Sequence, residues 1–295
     1  KVFAESLQSI ISSSPSEQDL EAINLSLKMC KSIVSPNVQI DNLSTKHIEF
    51  GHSAMGITLF SFSAQLISVF LAYMGANSEN QDLLNRFVES GFREFKCCLK
   101  ILTNLISSGY VPFDAFLIYD DHVYVDVLAG FIQFTNALDL DNICHYPKTF
   151  LSLINFFKEL CKKLLRITCI QLPAELLTNL MVIIFECATR GLNETNTSAS
   201  SIKTIEYILQ FIVDDQYSKE VAVLMSAISE DELAKANAGL WQLLINSYTT
   251  TDRNLVSEPI KYMIQINESA FLVIKEKLLE IAEEMKDQEI IEAVA

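Results

Sequence analysis

Residues 84–109 read LNRFVESGFREFKCCLKILTNLISSG. Apolar side chains recur through Leu84, Phe87/Val88, Phe92, Phe95, Cys98/Leu99, Leu102 and Leu105/Ile106, in steps of three and four, before Gly109. That period predicts one long amphipathic helix closed by a glycine, which can adopt the left-handed backbone of a helix terminus. Working outward, the same signal returns. Pro147, whose fixed φ suits the first helical position, opens a run through Phe150, Leu153/Ile154, Phe157, Leu160/Cys161 and Leu164. Pro173 opens another, through Leu176/Leu177, Leu180/Met181, Ile184 and Cys187/Ala188, which stops at Gly191. Ser14-Pro15-Ser16-Glu17 and Ser229-Glu230-Asp231-Glu232 have the serine and glutamate of capping boxes. A last helix is predicted from Asn267, with Phe271, Ile274, Leu278, Ile281 and Met285 on one face.

Strand-like alternation is nearly absent, and the 295 residues include only 8 glycines and 6 prolines. Average usage is roughly 7% and 5%, so turn-dense β architectures are disfavoured and the fold is expected to be all-α. About a dozen helices of roughly 12–25 residues result, with one longer polar connection at Asn193–Ser201. Pairing neighbours antiparallel gives units of about 40–47 residues, the size of HEAT or armadillo repeats. The expected architecture is an α-solenoid of antiparallel HEAT-like helix pairs over residues 1–295. A compact helical domain is the alternative, disfavoured by even spacing and by the lack of any Gly- or Pro-rich linker. With no start Met and no signal peptide at Lys1-Val2-Phe3, the chain reads as a piece of a larger one.

Lys and Arg number 22 against 37 Asp and Glu, a formal charge of −15. Such a balance opposes a phosphate backbone, so nucleic acid is not an expected partner, whereas basic protein surfaces are. Seven cysteines without regular spacing argue against a disulfide framework and for buried thiols acting as small apolar residues. Gly51 to Ser78 lacks Asp, Glu, Lys and Arg, and Ile57–Met74 could span a bilayer by length. Ser61, Ser63, Gln65 and Ser68 interrupt it and no Lys/Arg cluster flanks it, so an inner-layer helix is the preferred reading over a membrane span.

Chemistry leaves few traces. Four histidines, at 47, 52, 122 and 145, come without CxxC, HExxH or an EF-hand loop, so no metal or other cofactor is expected. Phosphate-cradling glycine motifs and a G-x-S-x-G elbow are missing, and the chain is not expected to be an enzyme. Cys144-His145 reads as an inward thiol beside an imidazole in a turn. Lys158, Lys162, Lys163 and Arg166 form a basic stripe at helical spacing, either a wet helix face or a contact for an acidic patch. Asp120, Asp121, Asp214 and Asp215 lie at helix boundaries, where they can cap the next helix or serve as protein-binding contacts for basic cargo.

Residues 109–121, GYVPFDAFLIYDD, resemble a segment of the exportin-7 family of nuclear transport receptors (Ran-binding protein 16 and 17), of the form Y-V-x-F-x-x-F-x-L-Y-x-D. Tyr110, Val111, Phe113, Phe116, Tyr119 and Asp121 match, while Ile118 replaces the leucine and Asp114 a glycine. Tyr146-Pro147-Lys148, Arg190-Gly191-Leu192, residues 252–259 (DRNLVSEP) and Ser35-Pro36-Asn37 fit the same collinear order. The resemblance spans roughly Ser35 to Leu279 and corresponds to the C-terminal part of such a receptor, with a relative such as exportin-4 as the nearest alternative. It implies a karyopherin-β protein that shuttles between cytoplasm and nucleus, binding Ran GTPase in its GTP form, cargo with basic surfaces and Phe-Gly nucleoporins. In that family Ran is held mainly by N-terminal repeats, so no Ran contact is carried onto these residues. A helical-repeat scaffold without a link to Ran is the alternative function, and a membrane protein built around Gly51–Ser78 a third.

Overall fold

The computed structural model describes residues 17–34, 49–77, 80–119, 121–138, 140–246, 250–267, 272 and 276. Within them the protein is all-α, with thirteen helices and no strand. The helices are α1 (Glu17–Ile33), α2 (Glu49–Ala76), α3 (Gln81–Glu89), α4 (Arg93–Ser108), α5 (Phe113–Ile118), α6 (Val123–Ala137), α7 (Leu140–Cys144), α8 (Pro147–Gln171), α9 (Ala174–Leu192), α10 (Ser198–Asp214), α11 (Lys219–Ala227), α12 (Glu230–Asn246) and α13 (Thr250–Ile266). Several starts follow the local signals. Pro147 opens α8. Ahead of α12, Glu232 N–H donates to Ser229 Oγ at 3.2 Å while Ser229 N–H donates to Glu232 Oε2 at 2.8 Å, a complete capping box. The serine-led start at Ser14 and most of the last helix lie outside the described residues.

The stretch 84–109 departs from its reading. It is not one helix but two, α3 and α4, separated at Ser90-Gly91-Phe92. Gly91 and Phe92 both take left-handed conformations, with φ of 68° and 54°. Phe92 N–H donates to Phe87 C=O at 3.1 Å and Gly91 N–H to Val88 C=O at 2.8 Å, the two bonds of a Schellman cap. The apolar contact that accompanies this motif is present, with Phe87 and Phe92 rings edge to face at 5.1 Å. A left-handed phenylalanine costs on the order of 1–3 kcal/mol. Here that strain is offset by full burial of the ring, which also meets Tyr146 at 5.4 Å.

Gly91 is hemmed in as well. A Cβ there would sit 2.9 Å from Tyr146 Cδ1, and Thr149 Oγ1 donates to the Gly91 carbonyl at 2.8 Å. Gly91→Ala therefore meets both the left-handed penalty and a crowded ring, and should lower stability by about 1–2 kcal/mol, read as the urea midpoint.

Helix packing follows a simple order. In the series α1, α4, α8, α10, α13 each helix packs on the next, and so does each in the series α2, α6, α9, α12. Where side-chain contacts fix the direction, neighbours within a row run parallel. Phe60 meets Tyr124 and Phe70 meets Phe134 across α2 and α6. Across α8 and α10, Ser200 Oγ donates to Asn155 Oδ1, Lys162 lies over Tyr207 and Arg166 over Phe211, each pair 45 residues apart. The rows join through α1 on α2, α8 on α9, α9 on α10 and α12 on α13. Where α6 faces α8 the chain direction reverses: Tyr124 meets Thr168, whereas Phe131 meets Phe157. Buried side chains from Ile23 to Met263 form one apolar cluster.

A further reading changes. The polar connection is shorter than Asn193–Ser201, because α10 already begins at Ser198. Thr197 Oγ1 donates to the Gly191 carbonyl at 2.9 Å, and Ser201 sits where a Cβ on Gly191 would be, so small polar residues let α10 close against α9. Residues 51–76 of the apolar segment fall within α2, whose Met55–Ala76 portion is long and apolar enough to cross a membrane. In the fold its Phe60, Ile67, Phe70 and Met74 are buried, and the helix packs on α1, α4 and α6.

One buried polar pair joins α6 to α8. Thr168 Oγ1 donates to Leu164 C=O at 2.7 Å, which leaves its oxygen to accept from Tyr124 Oη at 2.6 Å. Burial pushes the Tyr124 phenol well above its usual value, so it stays a donor. Tyr124→Phe should cost about 0.5–1.5 kcal/mol, the usual net worth of such a bond, measurable by thermal unfolding against Thr168→Val and the double variant.

Candidate protein-binding surfaces

The segment at Tyr110–Asp121 divides into an inner and an outer half. Val111, Phe113 and Phe116 are buried. Phe60 of α2 lies 5.1 Å from both phenylalanine rings, and Tyr124 lies 5.7 Å from Phe113. These residues pack α5 between α2 and α6. The other end faces outward, with Ile118 75% and Tyr119 78% exposed. Asp121 Oδ1 accepts from Val123 N–H at 3.0 Å, which serves the open first turn of α6. Asp120 lies outside the described residues.

Asp214 ends α10 and is exposed, and Asp215 is the residue that follows the helix. Neither starts the next helix. That role falls to Ser218, whose Oγ accepts from Val221 N–H at 3.1 Å. Carboxylates at a helix C-terminus meet the negative end of the dipole. Asp215 is held there by Arg166, whose Nη2 lies 2.5 Å from its Oδ2 and whose own charged form is favoured by that pairing. The basic stripe and one of the acidic candidates are therefore each other's partners.

The rest of the stripe is also engaged. Lys158 Nζ lies 3.6 Å from Glu159, Lys162 lies 5.8 Å from the centroid of the Tyr207 ring, and Lys163 Nζ donates to the Ser107 carbonyl at 2.8 Å. Such surface ion pairs and cation–π contacts are each worth about 0–1 kcal/mol. Asp121 is half-exposed and Asp214 exposed, and they sit on separate turns, one ahead of α6 and the other at the end of α10.

All seven cysteines are free, five of them buried. Burial raises their thiols, Cys169 to about 12, so they are protonated rather than nucleophilic. Cys144 is half-buried next to exposed His145, whose Nδ1 meets Asp141 C=O at 2.6 Å. Among the described residues no three His, Cys, Asp or Glu side chains converge as a metal site.

A feature that the sequence does not announce lies between α1 and α4. There a groove of about 350 Å³ is lined by Lys28 and Lys31 from one helix and Arg93, Lys96 and Lys100 from the other. The spacing of Arg93, Lys96 and Lys100 puts them on one face, but only the packing of α1 on α4 reveals that two sets of cations meet.

Comparison with known protein families, with curated proteins and with solved structures gives no match.

Proposed function

We propose that the chain is an α-solenoid of antiparallel HEAT-like helix pairs and serves as part of a nuclear transport receptor of the exportin-7 type, without a catalytic site. The observation that carries the architectural reading is the register between α8 and α10, whose contacts join residues 45 apart. HEAT and armadillo units occupy about 40–47 residues. The two rows of parallel helices fit this reading, as does the reversal of direction between rows. The receptor reading rests on the resemblance of Tyr110–Asp121 and the motifs collinear with it.

Function would follow from elasticity. When each unit touches mainly its neighbours, small rotations add along the array, and a ligand that favours one curvature assists another that needs it. On this reading Ran in its GTP form binds N-terminal repeats of a longer chain, Phe-Gly nucleoporins bind between helices, and the protein shuttles between nucleus and cytoplasm. Basic cargo surfaces meet exposed carboxylates such as Asp121 and Asp214. The charge of −15 suits that cargo and opposes nucleic acid. Burial of the α2 aromatics within the helical layers supports a protein that does not span a membrane.

Immobilised full-length protein should retain Ran locked in its GTP form and not Ran in its GDP form. Equal retention of both, or of neither, would overturn the receptor reading and leave a helical-repeat scaffold with no link to Ran.

A further inference from the structure

In a chain of net charge −15, five cations converge on one groove that among the described residues holds a single carboxylate, Glu94. None of Lys28, Lys31, Arg93, Lys96 and Lys100 forms an ion pair or side-chain hydrogen bond among the described residues. Other basic residues are committed to the fold, as with Arg166 on Asp215, Arg190 on Asp141 and Lys203 on Glu206. The groove cations instead face one another. Lys96 is the innermost, half-buried, and its ammonium is disfavoured first by burial and then by Lys100, Lys148, Lys31 and Arg93. Five like charges held together around a single carboxylate destabilise the surface that carries them, and an anion lying in the groove relieves this.

The groove also states what kind of anion. Asn24 lines it, and its Oδ1 is buried without a donor. Glu94 adds a second acceptor. A phosphate brings mainly acceptors and meets these two oxygens less well than a peptide does. A peptide brings carboxylates for the cations and backbone N–H groups for the acceptors. Four of the five cations are lysines, which act as point charges and do not demand the planar, two-pronged partner that arginine does. From Arg93 to Lys100 the face of α4 runs roughly 10 Å, the reach of about three extended residues. Leu27 and Cys97 give the floor an apolar strip on which such a segment can lie.

We propose that the groove between α1 and α4 is a docking site for an acidic peptide segment of a partner protein, a short run of Glu or Asp in extended conformation. This goes beyond the reading above, which assigns basic surfaces to cargo: it adds a second, oppositely charged contact on the same molecule.

The test uses a fluorescein-labelled hexaglutamate peptide and the whole chain, read by anisotropy at low salt and at physiological ionic strength, where the screening length is about 8 Å. Hexaglutamate should bind and its hexaglutamine analogue should not. Lys96→Gln combined with Lys100→Gln should weaken binding by about tenfold, the loss of two charge-assisted contacts. Lys162→Gln combined with Lys163→Gln, which removes the same charge elsewhere, should leave it unchanged. Asn24→Leu should weaken the peptide severalfold through the lost acceptor. Circular dichroism shows whether each variant keeps its helices. The proposal is overturned if hexaglutamate fails to bind, or if the two double variants weaken it equally. It is overturned too if inorganic phosphate displaces the peptide at millimolar concentration, or if phosphatidylserine vesicles bind the groove more strongly than the peptide does.

Discussion

Phe131→Ala should lower stability by about 3–5 kcal/mol, the range for truncating a fully buried phenylalanine whose cavity cannot close. Phe131 is 1% exposed and stands where three helices meet. Its ring stacks on Phe95 of α4 at 5.4 Å and 15°, and meets Phe156 and Phe157 of α8 at 4.9 and 6.4 Å. Those neighbours are themselves buried and packed on one another, with Phe156 and Phe157 at 5.5 Å, so none can swing into the space. Phe131→Leu keeps most of the volume and should cost less than about half as much. Urea midpoints of the two variants check this. A loss below about 1 kcal/mol for the alanine variant would mean that the ring is not at a rigid junction.

Gly56→Ala should be the second large effect, and its sign opposes helix propensity. Alanine is the better helix former by about 1 kcal/mol, and Gly56 lies inside α2. A Cβ at this position, however, would lie 2.2 Å from the Tyr110 carbonyl oxygen, 3.0 Å from its carbon and 3.2 Å from Val111 Cα. Those are backbone atoms and cannot rotate aside. α2 would have to withdraw from the turn before α5, taking Phe60 away from Phe113 and Phe116. Overpacking of this kind costs about 1–3 kcal/mol, more where backbone must move. Gly75, in the same helix, would carry a Cβ with nothing within 4 Å of it, so Gly75→Ala should stabilise by up to about 1 kcal/mol. Opposite signs for two identical substitutions in one helix, measured by thermal unfolding, isolate the close approach from propensity.

Helix identity and several starts are legible in the sequence because they depend on near neighbours along the chain. Pro147 and the Ser229/Glu232 box act within a single turn, and periodicity reports a buried face directly. The break at Gly91 is hidden by the same periodicity. The Schellman cap demands an apolar contact between Phe87 and Phe92, and these residues continue the apolar run of the flanking helices. Ser198–Ser201 resemble a loop because they are polar, yet their small size is what lets α10 approach Gly191. Among the candidate contacts, the pairing of Asp215 escapes any local pattern because its partner Arg166 is 49 residues away. The α1/α4 groove needs two distant sets of lysines to meet, which no local pattern encodes.

In a stacked array, helices touch mainly the next members of their own row and of the facing row. Hydrogen exchange, followed peptide by peptide in the whole chain and in Phe131→Ala, tests this directly. Exchange should quicken in α2, α4, α6 and α8 while α12 and α13 keep their protection. Equal acceleration through all of the helices would show one all-or-none globule and contradict the stacked arrangement.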